Sequence, residues 1–271
     1  MSPLCLLTLA SGRSGTSFLH AFFRHHVRHC HSSHEPYLTP GNPTLFGPPI
    51  YWNAIADDRR LLPLIEQKRR YIASVAQPVY LESNHALLKS ADRHLHRLAD
   101  NIGLIRLQRN PLRVAKSEYL REQLIERCHV PLRHYHVDGQ RYFRWALTGL
   151  EPVFAPFAGQ ALNRFQFYLL QWLQIERRAD AVIQRNHWQD RVFTLNMDDN
   201  AGQAGQLADM LAFFQLPARQ PLRLNLRRNR TPFVGSSALT AAERRDVESL
   251  LDRLEHDDRQ RLLPYLDQQA N

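Results

Sequence analysis

The chain has 271 residues, of which 44% are hydrophobic and 23% charged, with a formal net charge of +9. These proportions allow a sizeable buried core and exclude a disordered, collagen-like or disulfide-built protein. Cys5, Cys30 and Cys128 form no framework, and no run approaches the ~18 apolar residues that a membrane helix needs.

Lys68, Lys89 and Lys116 are the only lysines, so arginine carries nearly all the positive charge. Guanidinium forks suit phosphate and sulfate, a basic balance also suits nucleic acid, and solvated helix faces account for much of it in any protein. Leu4 to Ala10 is apolar with no basic region before it, so no secretory leader is expected and a cytoplasmic location is.

Leu4 to Ala10 is short, apolar and followed by Ser-Gly, as in a buried strand. Thr16 to His26 is helical in pattern, and Val27 to Ser32 allows a second strand. Pro36, Pro40, Gly41, Pro43, Gly47, Pro48 and Pro49 mark a long loop. Asp57 to Val75 predicts a helix bent at Pro63, Pro78 to Ser83 a strand, and Leu87 to Ala99 another helix. Ile102 to Leu107 predicts a strand and Pro111 to Arg127 a helix. Helical residues are expected from Gln140 to Gln166 and along a longer helix from Gln160 to Gln184. Arg191 to Met197 predicts a strand, Gln203 to Gln215 a helix, and Thr240 with Glu243 a capping box before a last helical region. Strands alternating with helices imply an α/β fold: three layers around a central parallel sheet, with a phosphate-binding strand-loop-helix at its start. No repeat or linker divides the chain, so residues 1–271 are expected to form one domain.

Residues 11–17, Ser-Gly-Arg-Ser-Gly-Thr-Ser, join the first strand to the first helix. The unpaired N–H groups of such a helix, with its dipole behind them, make an anion site. Gly12 and Gly15 permit tight turning and close approach. Arg13 adds charge, while Ser14, Thr16 and Ser17 add hydroxyls. The spacing matches neither G-x-x-x-x-G-K-[ST], nor G-x-G-x-x-G, nor G-x-S-x-G. Further on, Arg109-Asn110-Pro111 follows a strand. Asn110 suits an N-cap and Pro111 the first helical position, and Ser117 lies about two turns into that helix.

Gly12-Arg13-Ser14-Gly15-Thr16-Ser17-Phe18-Leu19 resembles the 5′-phosphosulfate loop of the sulfotransferases that use 3′-phosphoadenosine 5′-phosphosulfate (PAPS). Arg109-Asn110-Pro111 with Val114-Ala115-Lys116-Ser117 resembles their 3′-phosphate motif. The resemblance implies a sulfuryl transfer from PAPS, with 3′-phosphoadenosine 5′-phosphate (PAP) as product and no metal. Gly12, Arg13, Ser14, Gly15, Thr16, Ser17, Arg109 and Ser117 would hold the donor. The family's C-terminal basic loop falls at residues 224–232, which depart from the glycine-rich form, so Arg228 and Arg230 are the weaker expectation for nucleotide contacts. Arg191 to Asp199 and the helix after it are similar to a later strand-helix unit of these enzymes.

Transfer of this kind is dominated by positioning and charge stabilisation, and Arg13 is expected to stabilise the leaving group. The acceptor's proton needs a base. Glu35 lies at about the interval from Arg13 at which family members carry a catalytic glutamate. Glu82 and His85, at the end of a predicted strand, are the alternatives. His25, His26, His29, His31 and His34 lack the carboxylate of H-E-x-x-H, so a metal is not expected. Tyr37, Tyr51 and Trp52 are candidates for an aromatic acceptor pocket. The acceptor itself, a small molecule, carbohydrate or other substrate, is not readable. The rival functions are a P-loop nucleotide phosphotransferase, which the missing Gly-Lys disfavours, and a basic nucleic-acid-binding module, which is not expected.

Overall fold

The computed structural model describes residues 3–36, 39–199, 202–219 and 239–267. Its centre is a sheet of five parallel strands: β1 (Leu4–Leu9), β2 (Cys30–His34), β3 (Val79–Ser83), β4 (Ile102–Gln108) and β7 (Val192–Asn196), in the order β2-β3-β1-β4-β7. Register is fixed by pairs such as Leu6 with Leu81 and Leu6 with Gly103. β1 lies in the middle because its residues are buried whichever face they point to.

Side chains alternate across a strand, so β1 feeds two cores. Cys5, Leu7 and Leu9 pack with α4 (Leu87–Ser90), α5 (Pro111–Arg127) and α6 (Arg164–Arg185). Leu6 and Ala10 pack with α1 (Thr16–His26) and α7 (Gln203–Phe213). The result is a three-layer α/β fold with helices on both faces of a parallel sheet. Among the described residues no helix is long and apolar enough to cross a membrane.

Local chemistry sets the helix starts. Asn110 accepts from the backbone N–H groups of Leu112 and Arg113, with Pro111 first in α5. Asn163 with Gln166 makes a capping box on α6, and Thr240 with Glu243 makes one on α8 (Ala241–Leu251). α9 (His256–Asp267) closes the described chain. α3 (Asp58–Ala73) is capped by Asp57 and runs through Pro63.

The long loop is partly helical: Pro48 and Pro49 open α2 (Pro48–Ala54), as a ring-fixed φ favours. Leu87 to Ala99 is not one helix; only Leu87–Ser90 is α-helical and Leu95–Arg97 is a 3-10 turn. The helical expectation from Gln140 is also overturned. β5 (His134–Val137) and β6 (Gln140–Phe143) form an antiparallel hairpin about Asp138-Gly139, whose φ values of 50 and 76 suit a tight turn. α6 begins only at Arg164.

Candidate active site

Four loops leaving the C-terminal ends of neighbouring strands bring side chains together. Arg13 follows β1, Glu35 follows β2, His85 follows β3 and Arg109 follows β4. All four line one pocket of about 310 Å³. Open α/β sheets bind ligands at this edge because backbone and helix ends there are free to face them.

The first turn of α1 forms one wall, with Gly15, Thr16, Ser17 and Phe18 against the pocket. Gly15 is the N-cap, in a left-handed conformation with φ 100, and no side chain caps the helix. The backbone there favours glycine, and a Cβ would also sit 2.6 Å from the Met197 methyl and push that side chain aside. At Gly12 the constraint is close approach alone: a Cβ would lie 1.6 Å from Glu118 Oε1. Arg13 and Glu35 are non-glycine residues at φ 63 and 44. Such backbone costs about 1–3 kcal/mol and persists where the surroundings enforce it.

The two sequence motifs touch. Arg13 Nε donates to Ser117 Oγ at 3.0 Å, and Arg109 Nη1 donates to the Arg13 carbonyl at 2.5 Å. Asp198 stands behind Arg109: its Oδ1 lies 4.0 Å from Arg109 Nε and 3.4 Å from Arg113 Nη1, and its Oδ2 accepts the Asn110 backbone N–H. Burial lowers the pKa of both Arg13 and Arg109 from the usual guanidinium value.

On the other side, Glu35 Oε1 lies 3.2 Å from His85 Nε2. Burial favours the neutral carboxyl of Glu35, but His85, His34 and Arg121 outweigh it and bring the pKa down to about 2. His85 is 2% exposed; burial and nearby Lys89 lower its pKa against the pull of Glu35 and Glu118. A neutral His85 donating from Nε2 to a charged Glu35 satisfies both tendencies, and it leaves Nδ1 buried without a partner. His34 Nδ1 lies 2.7 Å from the Ser83 carbonyl, which can only accept, so Nδ1 carries a proton, and Nε2 lies 2.8 Å from the Ser17 hydroxyl.

No protein-family model matches the chain, and no curated protein matches it in sequence. Among solved structures it is similar to a sulfotransferase from Alicyclobacillus acidocaldarius, over 98% of this chain and 96% of that one, with 12% identity and a TM-score of 0.50. The chain has a sulfotransferase-like fold.

The sulfotransferase-like frame does not bring every sequence candidate to the pocket surface. Ser117 stands behind Arg13, to which it is bonded. Gly12 and Ser14 are buried, and Ser14 Oγ lies 2.6 Å from Ser11 Oγ, bracing the loop. Glu82 is wholly buried, 3.0 Å from Lys68 Nζ, and also accepts from Tyr80 and Asn84. Tyr51 donates to Asp138 at 2.6 Å and packs on Tyr142, away from the pocket, and Trp52 does not line it either. Tyr37, Arg228 and Arg230 lie outside the described residues. His25 and His29 are exposed, His31 packs between Tyr71 and Tyr80, and His20 stacks on His34. Among the described residues no group of three or more metal-ligating side chains is gathered.

The sequence motifs leave out Arg121, which lines the pocket, and the buried Glu118 and Lys89, which do not line it but act on the charges that do. Glu118 is 2% exposed, with Oε2 3.5 Å from Arg121 and Oε1 buried without a hydrogen bond. Burial raises its proton affinity, but Lys89, Arg121, His85 and Arg13 bring the net pKa below the usual value. Burial lowers the pKa of Lys89 to about 8. Their one sequence signal is position: Glu118 and Arg121 follow Ser117 within the next turn of α5.

Proposed function

We propose that this protein is a PAPS-dependent sulfotransferase that moves a sulfuryl group to a hydroxyl or amine of an acceptor, with Glu35 as general base. One observation carries it: the uncapped start of α1, Arg13 and Arg109 face the same pocket as the half-buried Glu35 carboxylate and the buried His85 imidazole paired with it. The residues fit the donor. Gly15, at φ 100 and with no side chain, leaves the helix N–H groups open to an anion. The 5′-phosphosulfate belongs at that helix end with Arg13, Thr16 and Ser17, and the 3′-phosphate at Arg109, with Ser117 supporting. Arg228 and Arg230 remain candidates for the outer face of the nucleotide.

PAPS supplies the sulfuryl group: the acceptor oxygen bonds to sulfur as the bond from sulfur to the 5′-phosphate oxygen breaks, leaving its electron pair on the phosphate. Glu35 takes the acceptor's proton on a carboxylate oxygen. Its charge is held by His85, so it is ionised at neutral pH and needs no prior deprotonation. Arg13 is pinned at its side chain by Ser117 and at its carbonyl by Arg109, so its charge is aimed before the reaction begins. Charge placed in advance where charge develops is the largest contribution a site of this kind can make.

Calorimetry with PAP, with adenosine 5′-phosphate as control, tests this. PAP is expected to bind at least about tenfold more tightly, a difference of about 1.4 kcal/mol, and Arg109→Ala to remove that preference. Equal or absent binding of the two nucleotides sinks the function.

A further inference from the structure

Arg121 sits in the pocket with no assigned partner on the donor. It projects from α5 one turn beyond Ser117 and lines the pocket beside Glu35 and His85. Arg109, by contrast, is held by Asp198 and the Arg13 carbonyl. Glu118 Oε1 and His85 Cε1 both lie within 3.3 Å of where a Cβ on Gly12 would stand, so Arg121, 3.5 Å from Glu118, is on the side of the His85–Glu35 pair. In an in-line displacement the acceptor enters opposite the leaving phosphate, on the side of the base. That is the Arg121 side.

The guanidinium is also fixed in place. Its carbon lies 5.1 Å from the Trp145 ring centroid, and Lys89 Nζ donates to the Trp145 carbonyl at 2.5 Å. Glu118 Oε2 lies 3.5 Å from Arg121 Nη1. Glu118 does not spend its charge on Arg121 alone, because Lys89, His85 and Arg13 act on it too. Against Arg13, Arg109 and Arg121, Glu35 is the one carboxylate among the described lining residues, and Phe18 the one large apolar side chain. A flat hydrophobic acceptor would find little to pack on. A carboxylate would find a pre-oriented fork that can bind both its oxygens.

We propose that Arg121 recognises a carboxylate on the acceptor, so that the substrates are hydroxy or amino acids in the broad sense, including acidic sugars. This rests on the sulfotransferase function proposed above.

The test uses protein saturated with PAP and two matched pairs: glucuronate with glucose, and 4-hydroxybenzoate with 4-hydroxybenzamide. Binding is followed by calorimetry. The acid of at least one pair is expected to bind at least about tenfold more tightly than its neutral partner, about 1.4 kcal/mol. Arg121→Gln should erase that preference, Arg121→Lys should keep part of it, and both should cost PAP far less; PAP binding also shows that the variants fold. Equal binding within both pairs, no binding of any acid, or a loss of PAP affinity as large as that of the acid overturns the role of Arg121 and leaves the donor site standing. Failure of the unaltered protein to bind PAP overturns both.

Discussion

Two charge clusters meet at the C-terminal end of β3, one buried and one open to the pocket, and they are built to opposite rules. In the first, Lys68 and Glu82 are both 0% exposed and 3.0 Å apart. Lys68 also donates to Asn42 at 2.7 Å, and Glu82 accepts from Tyr80 and Asn84. Every formal charge is answered, and the cluster ties the proline-rich loop, α3 and β3 together. In the second, Lys89, Glu118, Arg121, His85 and Glu35 share charge less completely: Glu118 Oε1 and His85 Nδ1 are buried without partners. Unsatisfied buried polar atoms are costly, and native proteins keep few of them. A closed cluster fastens a fold; an open one beside a pocket leaves polarity for a ligand.

The sharpest way to break the comparison is Lys68→Met. It strands a fully buried carboxylate, and removing one partner of such a pair costs about 3–5 kcal/mol. Urea denaturation of Lys68→Met and of Lys68→Met with Glu82→Leu should show a large loss in the first and much of it regained in the second. If the single variant unfolds like the parent, the closed cluster is not fastening anything. Gly12→Ala comes next. Its Cβ runs into Glu118, and overpacking of this kind costs about 1–3 kcal/mol. PAP affinity and Tm should both fall, and Glu118→Ala added to Gly12→Ala should recover the Tm. Without that recovery, the steric link between the loop and α5 is wrong.

The difference between the clusters also explains what the sequence discloses. The parallel α/β order, the loop at 11–17, the Asn110 cap and the two capping boxes are local, and each can be read from a few adjacent residues. The hairpin was equally local: Val137-Asp138-Gly139-Gln140 carries a strong turn signal that a helical interpretation from Gln140 overrides wrongly. The Pro48-Pro49 helix start is another available signal. The open cluster is different. Glu118 and Arg121 acquire their roles only because α5 packs where Lys89 after β3 and Trp145 after β6 also arrive. Nothing in the spacing of residues 89, 118, 121 and 145 announces that meeting. Glu82 and His85 both lie at the C-terminal end of β3, three residues apart, yet Glu82 meets a lysine in the core and His85 lines the pocket. Which face each takes is a tertiary fact.

A finer test asks whether the open cluster sets the charge of Glu35. The folded pKa of Glu35, about 2, is below its ordinary value of 4.5, so its contribution to stability is present above about pH 4.5 and fades as pH falls toward 2. His85 works the same way at higher pH. Its lowered value means that the unfolded chain takes up this proton first as pH drops below 6.5, so acid costs stability there too. His85→Leu keeps an apolar side chain in the buried site and removes the donor to Glu35. Burial then acts on the carboxyl with less to oppose it. The Glu35 resonance, identified in ¹³C-glutamate spectra by its loss in Glu35→Gln, should titrate at least about one pH unit higher. A base works only when ionised, so the acid limb of turnover should move up in pH with it. A Glu35 titration unmoved by His85→Leu would mean that the arginines alone hold the charge, and that the histidine is packing.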